Sequence, residues 1–159
     1  MNKSSTWFLK SVLVLIAGLV LAGLLWFPHL EGRNINADLF TIYFKDPFLA
    51  YVYLSSIPFF IPFYQAFKLL GFMEQGRAFS QVSVNALRKI KFSSIVLAGL
   101  VAGAVPQLAI FAQEDDAPGV VLIVLVIIFA AFVIATAAAV FQKLLQNAVD
   151  IKSENDLTV

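Results

Sequence analysis

Four uninterrupted apolar runs decide what this chain can become. Residues 11–27, 47–67, 92–112 and 117–141 contain no Asp, Glu, Lys, Arg or His. The hydrocarbon core of a bilayer takes roughly 20 apolar residues as a helix, and each run is of that order. Their flanks lengthen them. Trp7 gives the first run an interfacial start with Lys10 snorkelling toward headgroups, and Leu69 and Leu70 extend the second. The predicted spans are therefore 7–27, 47–70, 92–112 and 117–141, separated by a loop at 71–91 and followed by a tail at 142–159. The chain is 60% hydrophobic and 13% charged, against about 45–50% and about 25% in soluble domains. A protein core of this size has no room for the surplus, so lipid must cover it. The fold class that follows is all-α: one integral membrane domain, a four-helix bundle.

A signal peptide is the competing reading of the first run, because Lys3 and Lys10 supply a basic flank. Trp26-Phe27-Pro28 is a poor cleavage site, so the first helix is expected to stay. Cations near span ends are retained in the cytoplasm. Lys3 and Lys10 precede the first span; Lys68, Arg77, Arg88, Lys89 and Lys91 lie between the second and third; Lys143 and Lys152 follow the fourth. Only Arg33 and Lys45 fall on the other side, with Glu31, Asp38, Asp46, Glu114, Asp115 and Asp116. Both termini are thus expected in the cytoplasm.

Helices associate in lipid through small residues and a few polar contacts. Gly99 with Gly103, Gly18 with Ala22, and the ridge Ala131, Ala135, Ala139 are the candidates. They suit either packing inside the bundle or a homo-oligomer interface. Span two holds Pro58 and Pro62 on one face, together with Tyr51, Tyr53, Ser55, Ser56, Tyr64 and Gln65; span three holds Pro106. This pattern fits a bent helix lining a cavity, or a kinked helix whose freed carbonyls are satisfied by neighbours.

Outside the spans, Ser80 is placed to cap a short cytoplasmic amphipathic helix through Val84, Leu87 and Ile90, with Arg88 and Lys89 toward an anionic leaflet. In the outer loop, Ile35, Leu39 and Ile42 suit a short helix, while residues 39–44 equally suit an extended segment. Asp46 before Pro47 reads as an N-cap, and Glu114, Asp115 and Asp116 as the acidic start of the fourth helix. Phe141, Leu144, Leu145, Ala148 and Ile151 carry helical periodicity past the last span, so that helix is expected to leave the membrane without stopping.

Reactive chemistry is sparse. There is no cysteine, and the spans offer neither paired aspartates nor a serine with a base. His29 beside Pro28 reads as interfacial, and Gln107 and Thr136 as cross-helix hydrogen-bonding groups. No metal-ligand cluster and no phosphate-binding glycine loop is visible. The expectation is a non-enzymatic protein with no cofactor and no direct contact with nucleic acid.

Two segments resemble a known family. Gly76-Arg77-Ala78-Phe79-Ser80, followed by Asn85, Leu87, Arg88 and Ile90, and the closing run from Asp150 to Val159 are similar to the signatures of domain of unknown function 2975. Ala78 stands where a proline is often seen. The resemblance implies a bacterial cytoplasmic-membrane protein with a four-span layout and no established activity. Its members are often encoded near small helix-turn-helix regulators, which implies such a regulator as a cytoplasmic partner. The distinctive motifs face the cytoplasm on this reading, which makes Gly76, Phe79, Ser80, Arg88, Glu154, Asn155, Asp156, Leu157 and Thr158 candidates for a docking surface or for a latch between helix ends. The rival expectation is a small-molecule or lipid transporter, or a subunit of one, routed along span two.

Overall fold

A computed structural model describes residues 2–30, 38, 40–41 and 47–158, and in it the four apolar runs are four long helices. They are α1 (Lys3–Leu30), α2 (Pro47–Glu74), α3 (Gln81–Glu114) and α4 (Gly119–Leu157). Each is long and apolar enough to cross a membrane. The expectations for Ile35, Leu39 and Ile42, for Asp46 as a cap and for the side chain of His29 lie outside the described residues.

The helices pack in chain order. The α3–α4 seam is the most extensive, α2 packs on α3, and α1 leans on α2; other pairs meet at isolated positions at most. Small residues make the main seam. On α4 its buried positions are Val124, Ala131, Ala135 and Ala138, a spacing of seven, four and three that keeps one face toward α3. On α3 they include Val84, Leu87, Ser94 and Ala98. Alanine and serine let the two backbones approach, and close backbone approach is what holds helices together in lipid. Larger side chains gather at the end that carries the termini, where Leu87 and Ile90 meet Ala138 and are flanked by Ala66, Leu69 and Leu145.

The expected amphipathic helix is present but is not separate. Residues 81–91 are the first turns of α3, continuous with the span that follows. Val84, Leu87, Ser94 and Ala98 share one helical phase, so the apolar face expected to rest on a leaflet is buried along the seam instead. The acids at 114–116 also differ from expectation. They close α3 and precede the start of α4 at Gly119. Asp116 has φ 50, a left-handed conformation that Asp tolerates better than most residues. It lets the Ala117 N–H reach the Ala112 carbonyl at 2.8 Å, a helix-closing bond of Schellman type.

The same device ends α2. Gly76 has φ +69, the Arg77 N–H donates to the Phe72 carbonyl at 2.8 Å and the Gly76 N–H to the Met73 carbonyl at 3.2 Å. Here a glycine is required by backbone conformation rather than by space, since a Cβ at Gly76 would meet nothing within 4 Å. Gly76→Ala is therefore expected to cost about 1 kcal/mol, read as a lower unfolding midpoint in detergent with an unchanged helical spectrum.

Candidate functional site at the basic end

The end holding the termini is the basic end. Its cations ride over aromatic faces: Lys10 lies 5.3 Å from the centre of the Phe67 ring, Lys68 5.5 Å from Tyr64, Arg77 5.9 Å from Phe72 and Lys91 4.8 Å from Phe92. Aromatic rings and snorkelling cations are the usual furniture of a membrane–water interface.

The connection from Gly76 to Ser80 is braced by hydroxyls. Ser80 occupies the N-cap of α3 without a capping side-chain bond; its Oγ donates instead to the Arg77 carbonyl at 2.6 Å. Ser83, with no exposed surface, donates to the same carbonyl at 3.1 Å. Phe79 projects from this connection with 60% of its surface exposed. It forms one wall of an apolar groove of about 400 Å³ whose other walls include Leu69 and Met73 of α2, Leu87 of α3 and Phe141 and Leu144 of α4.

Beyond the groove α4 overhangs. Gln81, the first residue of α3, exchanges two amide hydrogen bonds with Gln146, each 3.2 Å. From Gln146 to Leu157 the helix rises a further distance of roughly 16 Å with no more of α3 beside it. Ile151 and Leu157 are 67% and 83% exposed there. Asn155 and Thr158 finish the helix, the Thr158 hydroxyl donating to the Asn155 carbonyl at 2.8 Å. Glu154 and Asp156 are exposed, and among the described residues the sole salt bridge is Lys10–Glu74, so neither acid is paired with a described cation.

These positions sort the candidate residues into two groups. Gly76, Phe79 and Ser80 form one connection beside the groove, whereas Glu154, Asn155, Asp156, Leu157 and Thr158 sit on the overhang. Arg88 joins neither: it lines a different cavity with Lys91, Gln142 and Lys143. Glu154 is roughly 16 Å of helical rise from Lys143, too far for the tail to close onto Arg88 within one chain. Of the small-residue candidates, Ala131 and Ala135 are each 4% exposed in the main seam. A Cβ on Gly103 would lie 3.0 Å from the Tyr51 hydroxyl, while one on Gly99 would meet nothing within 4 Å.

The polar groups of α2 are largely committed to backbone. Ser55 donates to the Tyr51 carbonyl at 2.8 Å and Ser56 to the Tyr53 carbonyl at 2.6 Å. The Tyr51 hydroxyl crosses to the Leu100 carbonyl of α3 at 2.6 Å, and the Tyr53 hydroxyl to the Leu24 carbonyl of α1. α2 runs unbroken through Pro58 and Pro62. Gln107 lines a cavity of about 410 Å³ between α2 and α3, bounded by Phe48, Tyr51 and Phe111, which neither Ser55 nor Ser56 reaches.

Sequence reasoning missed two features of this end. Lys10 does not only snorkel: its Nζ lies 2.6 Å from Glu74 Oε2. Ser83 is buried and bonded. Both depend on contacts between distant segments or across a turn, and no local pattern marks them.

Residues 36–159 match the family model described as protein of unknown function (DUF2975). The chain belongs to this family. The match covers α2, α3, α4 and the overhang, and leaves α1 outside it. Across its full length the DUF2975 chain is also similar to the uncharacterized membrane protein YoaS of Bacillus subtilis (strain 168), with 48% identity over 161 residues and 100% of both chains covered. No solved structure matches. The relative and the four apolar helices together make this DUF2975 chain a membrane protein.

Proposed function

We propose that this DUF2975 protein is a non-enzymatic interaction module of the bacterial cytoplasmic membrane, with both termini in the cytoplasm and a docking surface made by the Phe79 groove and the overhang of α4. The nine-to-two division of its cations supports the orientation, since Arg33 and Lys45 alone lie on the opposite side. The observation that carries the docking reading is the overhang. A helix that leaves the bilayer with Ile151 and Leu157 in water, and with Glu154 and Asp156 unpaired by described cations, is a surface waiting for cover. The groove beside it suits an apolar helix from a partner, recognised through spaced anchors. A small helix-turn-helix regulator is the first partner to test, because the family resemblance suggests one.

Photoreactive residues at positions 79 and 157, introduced into the full chain in its native membrane, test this reading. The expected result is an adduct with one cytoplasmic protein at both positions and none at Ile123, an exposed position within the apolar stretch of α4. Removal of residues 154–159 should abolish the adduct at 79 while leaving insertion intact. An unchanged adduct after that truncation defeats the reading.

The transporter alternative draws support from the cavity beside Gln107. The committed hydroxyls of Ser55 and Ser56 weigh against a polar route along α2.

A further inference from the structure

Separate from the Phe79 groove, one cavity of about 350 Å³ is lined by Arg88 and Lys91 of α3 and by Gln142, Lys143, Gln146 and Asn147 of α4. Three cations face one space, and no described acid lines it. Like charges held together raise each other's cost, and the cost falls when an anion sits among them. Among the described residues none of the three forms a salt bridge. A second observation comes from Gln142, whose Oε1 is buried without a hydrogen-bond partner. That oxygen is closed to water, so the amide borders the cavity with its remaining surface and the cations alone supply the charge of the site.

The level of the cavity names the source of the anion. Lys91 immediately precedes the uncharged run at 92–112, and Lys143 follows the one ending at 141. The three cations therefore stand where the apolar stretches stop, at headgroup depth. We infer that this cavity holds the phosphate of an anionic phospholipid, gripped by Arg88, Lys91 and Lys143 and seated between α3 and α4. Arg88 offers a planar fork to phosphate oxygens, and the lysines act as point charges. A net-positive site prefers a net-negative headgroup over a zwitterionic one carrying the same phosphate. Basic pockets between membrane helices commonly select lipids in this way.

The test is native mass spectrometry of the full-length protein in detergent with equimolar phosphatidylglycerol, phosphatidylethanolamine and phosphatidylcholine. Phosphatidylglycerol should be retained on the order of 10- to 100-fold over phosphatidylcholine, given three cations near one headgroup. The double variant Arg88→Gln with Lys143→Gln changes two exposed side chains and should bring the preference to within about threefold. Lys89→Gln, outside the cavity, should leave it intact and so separates this site from general surface charge. An unfolding midpoint close to that of the parent keeps the double variant interpretable, and Lys143→Arg should retain the preference. Equal retention of the three lipids, or a preference that survives the double variant, overturns the assignment. So does retention of inorganic phosphate without any lipid preference, which would make the anion a free one.

Discussion

Val84→Asp is expected to abolish the folded state of the basic end. Val84 has no exposed surface and sits in the turn of α3 between buried Ser83 and the Leu87–Ile90 cluster. An ionised carboxylate there would lose its water in a position with no exposed surface. The penalty for such burial is several kcal/mol, in the range reached only by a few kinds of substitution. Val84→Ala removes two methyl groups and leaves a small void, for a cost of about 2 kcal/mol. The pair of variants should show a graded fall in the unfolding midpoint for alanine, and loss of cooperative unfolding together with low yield for aspartate. If Val84→Asp unfolds like the parent, residues 81–91 rest on the membrane surface and not on α4.

That outcome matters because residues 81–91 mark the boundary of what could be read from sequence. The four spans were legible, since a run without charge has few places to go except lipid. The exit of α4 past residue 141 was legible as well, because Phe141, Leu144, Ala148 and Ile151 keep the helical period. The period of Val84, Leu87 and Ile90 was equally plain, yet it has two partners that look alike from within the chain: an interface of headgroups or another helix. What decides between them is that α4, between Ala138 and Gln146, supplies a protein surface at that height. Likewise Glu114, Asp115 and Asp116 are composed like a helix start, and electrostatic preference alone put them there. The left-handed turn at Asp116 and the Ala117–Ala112 hydrogen bond outweigh it by satisfying a carbonyl at the end of α3. The candidate site was half legible. Gly76 and Ser80 stood out by motif, but their described roles are to close α2 and brace the connection, and Phe79 is the residue of that motif left exposed beside the groove.

Lys10→Glu is expected to detach α1 from the rest of the molecule. α1 packs on α2 alone, apart from isolated contacts, and its apolar stretch is not buried inside the structure at all. Dispersion against one neighbour competes here with dispersion against lipid, which is nearly as good. The directional contacts therefore decide. Three are described: the Lys10–Glu74 pair at 2.6 Å, the same Lys10 over the Phe67 ring, and the Tyr53 hydroxyl on the Leu24 carbonyl. The ion pair is partly shielded, with side chains 18% and 26% exposed, so it is worth more than a surface pair; a charge-assisted bond of this kind contributes roughly 1.5–3 kcal/mol. Charge reversal at Lys10 removes that term and adds repulsion of similar size. Spin labels on α1 and α2 in a bilayer should then report a short, narrow distance in the parent and a broad distribution in Lys10→Glu. The exchanged pair, Lys10→Glu with Glu74→Lys, should bring the narrow distribution back, because the pair is restored while its direction is inverted. Tyr53→Phe should broaden it only slightly, at about 1 kcal/mol or less for a cross-helix hydrogen bond in lipid. A narrow distance that persists in Lys10→Glu would mean that apolar contact along α2 is sufficient to hold α1, and that the single salt bridge among the described residues is an ornament of the interface.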